Sequence, residues 1–401
     1  MPETTLLEPV GSLLQVLARL LSSTPAIVPL LALPLIARGC YRAWAQSGND
    51  RAARWVGAAM LVMGLSDGLL LFALPRLGLS FGSVGLPWLG MLLVRAGLAW
   101  VGATLVRRLA SGWEFGTVFL ILAINLAFLA CEVYALYFEP FNLSLSTVHV
   151  SLPETPDPLR FHIVQLSDWH IERTTRRERA VLETVERLKP DLILLTGDYL
   201  NLSYIDDARA RQDAHAVLRQ LDAPYGVYAI SGTPVVDTKD AMAAIFDDLD
   251  NVTVLHDEIV SLDLGGQTIH ILGVANLGLE RDRDSLKKLT SRLPPNAWTL
   301  LMYHTPDLIE TAAELGVDLY LAGHTHGGQI RLPRFGAILT ASKYGKRYEA
   351  GLYQVALTQL YVSRGIGMEG LGMPRVRFLC PPEIVEFWLM GESPDLQRMS
   401  P

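Results

Sequence analysis

The sequence predicts a helical membrane bundle followed by an α/β domain. Four long apolar stretches lie before residue 140, and from about residue 148 short apolar runs alternate with amphipathic stretches. Half of the 401 residues are hydrophobic, which is apolar for a soluble protein. We therefore divide the chain into a transmembrane region, 1–147, a second domain, 148–392, and a flexible tail, 393–401.

The four apolar stretches cover 12–37, 55–75, 84–106 and 115–138. Each supplies about 20 residues, which is enough for a helix to cross the core of a bilayer. The first stretch is interrupted by polar residues and a proline at 22–25, so its early part could lie on the membrane surface. The acidic residues Glu3 and Glu8 disfavour a signal peptide, because such peptides begin with a basic segment.

Arginines set the predicted orientation of these helices. The connection between the second and third stretches carries only Arg76, whereas the connections before and after this pair contain Arg38, Arg42, Arg51, Arg54, Arg107 and Arg108. Basic loops stay in the cytoplasm. Four spans would therefore place the residues after 140 on the outer face of a bacterial cell membrane, and three spans would reverse this side.

Two ionisable residues, Asp67 and Arg95, lie near the middle of the second and third stretches. Ionisable groups at that depth are costly unless they pair. We expect an ion pair between the two helices that fixes the bundle. A transport or proton path is the alternative, although one acid and one base do not make a relay.

Charge and histidine are unevenly distributed along the chain. Residues 1–150 contain nine arginines and seven acids, a net charge of +2, whereas the remainder carries −9. All nine histidines lie at or after His149, so catalytic residue types are concentrated in the second domain. An acidic domain argues against a nucleic-acid partner. The three cysteines form no C-x-x-C pair, which argues against a thiolate zinc site.

The second domain has the pattern of alternating strands and helices. The predicted buried strands are 161–167, 191–196, 226–231, 299–303 and 318–322, and the predicted helices are 176–188, 208–221 and 237–248. Residues 254–264 and 267–274 predict a hairpin around Gly265 and Gly266. In α/β sheets, chemistry gathers at the carboxyl ends of the strands.

Four of these strands end in side chains that can bind metals: Asp168 and His170, Asp198, His304, and His324 with His326. Asp168 and His170 are two residues apart, so on an extended backbone they would face the same side. Carboxylate oxygens with imidazole nitrogens suit Zn, Mn or Fe. Each motif alone is common in turns, but all four in this order predict a metal site.

With these motifs, the second domain resembles the calcineurin-like metallophosphoesterase family over roughly 155–390, in particular the bacterial branch with N-terminal membrane helices. The runs 362–367 and 380–384 also resemble that branch. The resemblance implies two β-sheets packed face to face with helices outside. It also implies hydrolysis of phosphate esters or pyrophosphates by a metal-activated water, without a covalent enzyme intermediate.

The resemblance further implies two divalent metal ions, Mn, Fe or Zn. Position by position, one ion would be held by Asp168, His170 and His326, the other by His304 and His324, and both by Asp198. We expect Asp198 and His304 to be the catalytic side chains of this set.

The chain departs from the family after the third strand, where the family has Gly-Asn-His. Here Gly232 is followed by Thr233 and Pro234, so an amide ligand of the second metal and a general acid are replaced. Losing a general acid typically removes about 10²–10⁴-fold in rate. A leaving group that needs no proton, such as a nucleotide diphosphate or an aryl phosphate, would suffer least.

Several interpretations of this departure stay open. The second metal could be completed by water, or by Thr233, Asn201 or Asp237. The enzyme could work with one metal, or the domain could be a membrane-tethered binding or sensing module. Separately, Arg364 could contact a substrate phosphate through its fork of donors, or it could form a salt bridge within its loop.

We therefore predict a membrane-anchored, metal-dependent phosphohydrolase. Its expected partners are the lipid bilayer and a phosphate-containing substrate, with no nucleic acid. Anchoring near the headgroups favours a lipid-linked substrate, and the family includes enzymes that cleave UDP-diacylglucosamine. A non-catalytic membrane sensor is the rival prediction. A transporter is a weaker one, since the four spans show no internal repeat.

Overall fold

The computed structural model describes residues 24–46, 50–108, 114–152, 159–370 and 375–391. These residues form two compact units that divide between Phe138 and Glu139, and Gly370 and Arg375 group with the first unit. The early part of the first apolar stretch and the predicted tail at 393–401 lie outside the described residues.

The described part of the first unit contains four helices: α1 (Ile27–Ala45), α2 (Asp50–Arg76), α3 (Gly85–Arg108) and α4 (Glu114–Val133). Among the described residues, three segments are long and apolar enough to cross a membrane: Asp50–Arg76, Gly85–Leu105 and Gly116–Phe141. α1, which carries Arg38 and Arg42, is not among these three segments. Large apolar side chains such as Leu35, Leu69 and Phe119 are exposed on these helices, as expected of surfaces that face lipid.

The predicted ion pair in the bundle is confirmed. The guanidinium of Arg95 binds both carboxylate oxygens of Asp67, at 2.7 Å and 2.6 Å. Glu132 accepts a further hydrogen bond at 2.6 Å, and the Asn125 side-chain oxygen accepts one at 3.3 Å. All four residues are buried. Arg95 therefore joins α2, α3 and α4 through a larger polar cluster than the predicted pair.

Within the residues that the structure describes, the second unit contains 14 strands: β1 (Ser144–Leu152), β2 (Arg160–Leu166), β3 (Leu192–Leu195), β4 (Val227–Ala229), β5 (Val252–Val254), β6 (Glu258–Asp263), β7 (Thr268–Gly273), β8 (Trp298–Met302), β9 (Leu319–Ala322), β10 (Arg331–Leu332), β11 (Gly336–Ala337), β12 (Gly351–Val355), β13 (Thr358–Val362) and β14 (Glu383–Gly391). Its helices are α5 (Arg176–Leu188), α6 (Ala208–Leu218), α7 (Lys239–Phe246), α8 (Leu279–Thr290) and α9 (Ile309–Glu314).

Twelve of these strands form two six-stranded sheets. The first has the order β1-β14-β2-β3-β4-β5, in which β2 to β5 are parallel. The second has the order β12-β13-β9-β8-β7-β6, in which β13, β9, β8 and β7 are parallel and both edges are antiparallel. Each sheet thus contains four neighbouring parallel strands, whose carboxyl ends lie at the same edge of the sheet.

Alternation along the strands explains how the two sheets pack. In β8, Leu300 and Met302 lie in the same buried cluster as Ile163 and Leu194 of the first sheet. The intervening Leu301 lies in a second cluster with residues of α8 and α9. Side chains two residues apart share a face of a strand, so the inner faces of the sheets pack on each other and helices cover the outer face of the second sheet.

The predicted strands are confirmed as β2, β3, β4, β8 and β9, and the predicted helices as α5, α6 and α7. α5 begins with a capping box, in which Thr175 and Glu178 satisfy each other's backbone amides. The hairpin is confirmed for β6 and β7, but its first strand does not begin at 254. Val254 ends β5 of the other sheet, and Asp257 breaks the extended backbone with a φ of 59°.

Candidate metal centre

The six predicted ligands follow four strands that lie in neighbouring parallel pairs. Asp168 and His170 follow β2 and Asp198 follows β3, whereas His304 follows β8, and His324 and His326 follow β9. Carboxyl ends of parallel neighbours meet at one edge of a sheet. Because the inner faces of the sheets pack on each other, the ligand loops of both sheets converge there.

Backbone hydrogen bonds join these loops within each pair. The Asp168 amide donates to the Gly197 carbonyl at 2.9 Å, and the His170 amide donates to the Asp198 carbonyl at 3.1 Å. In the other sheet, the Gly323 amide donates to the His304 carbonyl at 2.8 Å. The side chains are therefore held by connected backbone rather than by separate flexible loops.

The first cluster consists of Asp168, His170 and His326. Their ligand atoms all lie within 4.8 Å of one another. The Nε2 atoms of His170 and His326 are 3.0 Å apart, and His326 Nε2 is 3.4 Å from Asp168 Oδ1. All three residues are buried.

The second cluster consists of Asp198, His304 and His324, again with all ligand atoms within 4.8 Å. His304 Nε2 lies 3.2 Å from His324 Nδ1 and 3.3 Å from Asp198 Oδ2. The same Asp198 oxygen is 3.6 Å from His170 Nε2 of the first cluster. One carboxylate oxygen thus lies between the two clusters.

The backbone of these residues is strained. Positive φ angles occur at Asp168, His170, Asp198, His324 and His326, between 43° and 69°. Residues with a Cβ rarely adopt this conformation, and it clusters at functional sites. The extended backbone expected between Asp168 and His170 is therefore wrong. β2 ends at Leu166, and left-handed turns, rather than strand alternation, bring both side chains into the cluster.

Glycines make room for this tight packing. A Cβ on Gly232 would collide with the Asp198 carboxylate, and a Cβ on Gly323 would collide with Ser167 and Asp168. A Cβ on Gly365 would likewise meet Asp168. Gly365, in the run 362–367, is thus needed because its segment packs directly on the Asp168 loop.

The outer hydrogen bonds of two histidines leave their inner nitrogens free for a cation. His304 Nδ1 lies 2.7 Å from the Thr196 carbonyl, and His170 Nδ1 lies 3.3 Å from the Leu200 carbonyl and 3.5 Å from Glu369 Oε2. These acceptors place the ring protons on Nδ1. Both Nε2 lone pairs then point into the clusters, which is the arrangement that metal-binding histidines adopt.

The spacing of the donor atoms also fits a metal. Two ligand atoms at about 2.1 Å from a cation are roughly 3.0 Å apart in octahedral and roughly 3.4 Å apart in tetrahedral geometry. The observed separations of 3.0–3.6 Å cover this range. The residues present therefore could hold two divalent ions.

Electrostatics of the clusters favour positive charge. Burial alone would raise the pKa of Asp198, but the neighbouring His304, His170 and His324 hold it far below its usual range. Burial alone would lower the pKa of His304, but the charge of Asp198 raises it to about 10. Burial, aided by the charge of His304, lowers the pKa of His324 to about 4. His324 is therefore neutral at pH 7, whereas His304 carries a proton that it would release when a metal binds.

Thr233, which stands where the family has asparagine, lies at the second cluster. Its Oγ1 is 3.1 Å from Asp198 Oδ2, 3.3 Å from His304 Nε2 and 3.4 Å from His324 Nδ1. Its amide also donates to Asp198 Oδ1 at 2.6 Å. A hydroxyl oxygen therefore occupies this side of the cluster. Pro234 is exposed in the turn that follows.

Asp237 and Asn201 have other contacts. Asp237 accepts the backbone amides of Asp198, Tyr199 and Gly232, at 2.7–3.0 Å. Burial and the neighbouring Asp198 charge raise its pKa to about 7, and these amides oppose that shift. Asn201 caps a short helix through the Ser203 amide and donates to the Met368 carbonyl. The two side chains brace the loops that carry the cluster.

Arg364 forms a salt bridge within its part of the fold. Its guanidinium donates to Glu383 at 3.0 Å and to the Ser144 hydroxyl at 2.9 Å. Glu383 also accepts the Arg364 amide. These contacts correspond to the salt-bridge alternative for this residue rather than to a side chain aimed at a phosphate.

Arg377 is a supporting residue that sequence reasoning missed. Its fully buried guanidinium donates to the carbonyls of Arg364, Gly365, Gly367 and Cys380, at 2.6–3.1 Å. Gly367 in turn donates to the Asp168 carbonyl at 2.6 Å. Arg377 thus holds the segment that packs on the first cluster. No local motif signals this role, because its partners are backbone groups.

Comparisons with known proteins agree with this geometry. The calcineurin-like phosphoesterase family profile matches residues 161–328. Over 269 residues, 65% of this chain and 90% of the relative, the chain is 36% identical to the uncharacterized metallophosphoesterase YkuE of Bacillus subtilis. It is 28% identical to the phosphodiesterase YaeI of Escherichia coli, covering 56% of this chain and 80% of that protein. It is 25% identical to the UDP-2,3-diacylglucosamine pyrophosphatase LpxG of Chlamydia muridarum, covering 67% and 96%.

The two-sheet fold and its paired clusters define a phosphoric ester hydrolase of the kind that uses divalent metals. The chain belongs to the calcineurin-like metallophosphoesterase family. The resemblance stated from the sequence motifs is therefore confirmed. Helices long and apolar enough to span a membrane precede the phosphoesterase domain.

Proposed function

We propose that this protein is a membrane-anchored, two-metal phosphohydrolase that cleaves the pyrophosphate bond of a lipid-linked substrate at the outer face of the cell membrane. The observation that carries the proposal is the position of Asp198 Oδ2, which lies 3.3 Å from His304 of one cluster and 3.6 Å from His170 of the other. A shared carboxylate oxygen between two ligand sets is the arrangement that a two-metal centre needs.

In this proposal each side chain has a definite role. Asp168, His170 and His326 would hold one ion, His304 and His324 would hold the other, and Asp198 would hold both. When bound, two such ions neutralise the charge of a phosphate and acidify a water that can attack it. Thr233 orients the shared carboxylate through its amide and offers its hydroxyl to the second cluster.

The loss of the family histidine narrows the class of leaving group. Pro234 occupies that position, and proline has no side-chain donor that could protonate a departing oxygen. A departing phosphate of a pyrophosphate is stable as an anion and needs no such donor. An alkyl alkoxide does need it. The site therefore favours pyrophosphates and aryl phosphates over simple alkyl esters.

A lipid-linked pyrophosphate satisfies both this constraint and the membrane helices. The relative LpxG is named for hydrolysis of UDP-2,3-diacylglucosamine, a substrate with a pyrophosphate and acyl chains. The three membrane-spanning candidates would keep the active domain close to such lipids. Basic segments precede the first of these three candidates and follow the second, so the positive-inside rule puts both in the cytoplasm. The third candidate would then lead outward, which supports the outer placement of the domain whether or not the stretch at 12–37 also spans.

Metal content and hydrolysis measured on one purified full-length preparation test the proposal. We expect about two bound Mn, Fe or Zn ions per chain. We also expect faster turnover of UDP-2,3-diacylglucosamine than of a simple alkyl phosphodiester. Asp198→Asn and His326→Ala should each reduce turnover by about 10²–10³-fold, since a metal ligand contributes several kcal/mol and 1.36 kcal/mol corresponds to tenfold.

His149→Ala is the matched control, because His149 is an exposed histidine on β1. It should retain both metal and activity. One ion per chain with the same losses would replace the two-metal centre by a mononuclear one. No metal, together with turnover that neither variant changes, would overturn the proposal and leave a binding or sensing module.

A further inference from the structure

A basic, apolar hairpin follows the His324–His326 loop and has no role in the site described above. It comprises residues 330–347, including the paired strands β10 and β11, and we refer to it as the basic hairpin. Of the eleven large hydrophobic side chains that are exposed in the described part of the second unit, five lie in this hairpin: Ile330, Leu332, Phe335, Ile338 and Leu339. Such clustering marks an interaction surface.

The charge of the basic hairpin is opposite to that of its domain. Residues 330–347 contain five lysines and arginines and no acid, whereas residues 151–401 carry a net charge of −9. Arg331 is engaged by Glu349 at 2.7 Å. Within the described residues, no carboxylate pairs with the other four cations, which are Arg334, Lys343, Lys346 and Arg347.

The cations lie beside the apolar side chains rather than apart from them. Lys346 Nζ is 3.3 Å from the centre of the Phe335 ring and donates to the Phe335 carbonyl at 2.5 Å. Phe335 is 58% exposed and Leu339 is 78% exposed. An element that combines exposed apolar tips with flanking cations has the composition of segments that lie in the headgroup region of anionic membranes.

The basic hairpin is fixed to the loop that carries the metal ligands. Gly328, two residues after His326, packs on Ala337 and on the Leu339 carbonyl, where a Cβ would not fit. The Thr325 hydroxyl donates to the Glu349 carbonyl at 2.8 Å, and Glu349 accepts the Ala337 amide at 3.0 Å. Any external surface that contacts the basic hairpin would therefore lie close to the candidate metal centre.

We infer that the basic hairpin docks on the anionic phospholipid surface, with Phe335 and Leu339 entering the headgroup region. The inference deepens the proposed function, on which it rests, because it explains how the metal centre meets a pyrophosphate that stays in the lipid layer. The occupant is a lipid surface rather than a protein, since four cations without a carboxylate partner match anionic headgroups and the chain carries its own candidate membrane spans.

Electron paramagnetic resonance on the full-length protein in nanodiscs tests the docking without using hydrolysis. A spin label is placed at Leu339→Cys in a Cys131→Ser background, because Cys131 is exposed and the other two cysteines are buried. In nanodiscs that contain phosphatidylglycerol, we expect the label to gain accessibility to oxygen and to lose accessibility to a water-soluble nickel chelate. Nanodiscs of phosphatidylcholine alone should show a smaller change, and so should high salt, which screens surface charge.

Two variants make the test specific. Leu357→Cys is the matched control, since Leu357 is an exposed leucine in the turn after β12 and should stay accessible to the nickel chelate. Arg334→Glu with Lys346→Glu should abolish the change at the Leu339→Cys label. A label that stays equally accessible to nickel in both lipids would overturn the inference. So would spin–spin broadening that disappears on dilution with unlabelled protein, because it would identify a second copy as the occupant.

Hydrolysis of a soluble aryl phosphodiester in the same nanodiscs separates this inference from the proposed function. The substitutions in the hairpin should leave that rate unchanged. If the wild-type protein did not hydrolyse the soluble aryl phosphodiester at all, that result would instead contradict the proposed function. A docked label with no hydrolysis would leave the docking intact, since the label reports only the position of the hairpin.

Discussion

The Arg95 cluster of the membrane unit and the metal centre of the phosphoesterase unit both bury ionisable side chains, and they differ in the source of their positive charge. In the membrane unit, the guanidinium of Arg95 donates hydrogen bonds to the carboxylates of Asp67 and Glu132 and to the side-chain oxygen of Asn125. In the phosphoesterase unit, Asp168 and Asp198 lie among histidine lone pairs that converge at 3.0–3.6 Å. The Arg95 cluster contains its own cation, whereas the metal centre has the ligands for cations that the chain does not supply.

This difference separates a structural cluster from a functional one. A buried charge is tolerated when it is paired and hydrogen-bonded. Arg95 meets that condition with side chains from α2 and α4. The metal centre would meet it with bound ions, and its positive φ angles mark a strained backbone of the kind that clusters at functional sites. The charge balance of a buried cluster thus distinguishes a structural role from a functional one better than its burial does.

Removing the internal cation is expected to have the largest effect on stability. Arg95→Gln leaves Asp67 and Glu132 buried without their partner, so the free energy of unfolding should fall by about 3–5 kcal/mol. Unfolding of the full-length protein in mixed detergent micelles measures it. Adding Asp67→Asn and Glu132→Gln to that variant removes the uncompensated acids and should recover part of the loss. If Arg95→Gln were as stable as the wild type, the cluster would not hold the bundle together.

The Arg95 cluster and the metal centre also show what the sequence could predict. The pair Asp67–Arg95 follows from two ionisable residues at the same depth of neighbouring spans. Glu132 lies in the last span, and whether it faces Arg95 depends on the rotation of α4, which the sequence pattern does not define. The membrane prediction was therefore correct for the pair and incomplete for the cluster.

The metal centre was more predictable because its ligands follow strands. A buried strand ends at a defined place, so Asp198 or His304 could be located from the apolar run before it. The supports were not predictable. Glu369 is distant in sequence from His170, which it contacts, and Arg377 binds carbonyl groups that any residue could supply. The left-handed turns at Asp168 and His170 were not predictable either, because the pattern of apolar and polar residues does not indicate a positive φ angle.

Supplying external cations should stabilise only the phosphoesterase unit. A metal present at about 100 times its dissociation constant adds about 2.7 kcal/mol to the native state. Hydrogen exchange with and without a chelator measures where this occurs. We expect slower exchange with metal in the loops around Asp168, Asp198 and His324, and unchanged exchange in α2 and α3. Protection that is equal in both units, or that appears in neither, would contradict the distinction between the two clusters.

Thr233 provides the finest test, because it asks how complete the second ligand set is. The Thr233 hydroxyl lies 3.1–3.4 Å from the ligand atoms of Asp198, His304 and His324. Thr233→Val keeps the shape and the backbone amide but removes that oxygen. Because it removes one polar group next to the ligands, turnover should fall by about tenfold, with a matching loss of the more weakly held metal.

Thr233→Asn restores an amide oxygen of the kind that the family uses at this position, and it should raise the affinity for the second ion. Thr253→Val, an exposed threonine on β5, is the matched control. Metal content by mass spectrometry and the turnover of an aryl phosphodiester are measured together. If Thr233→Val retained both metals and full turnover, the hydroxyl would be a packing group, and Asp198, His304 and His324 would hold the second ion without it. If Thr233→Asn bound that ion more tightly than the wild type does, the threonine would be a weak ligand that keeps the second site dependent on metal supply.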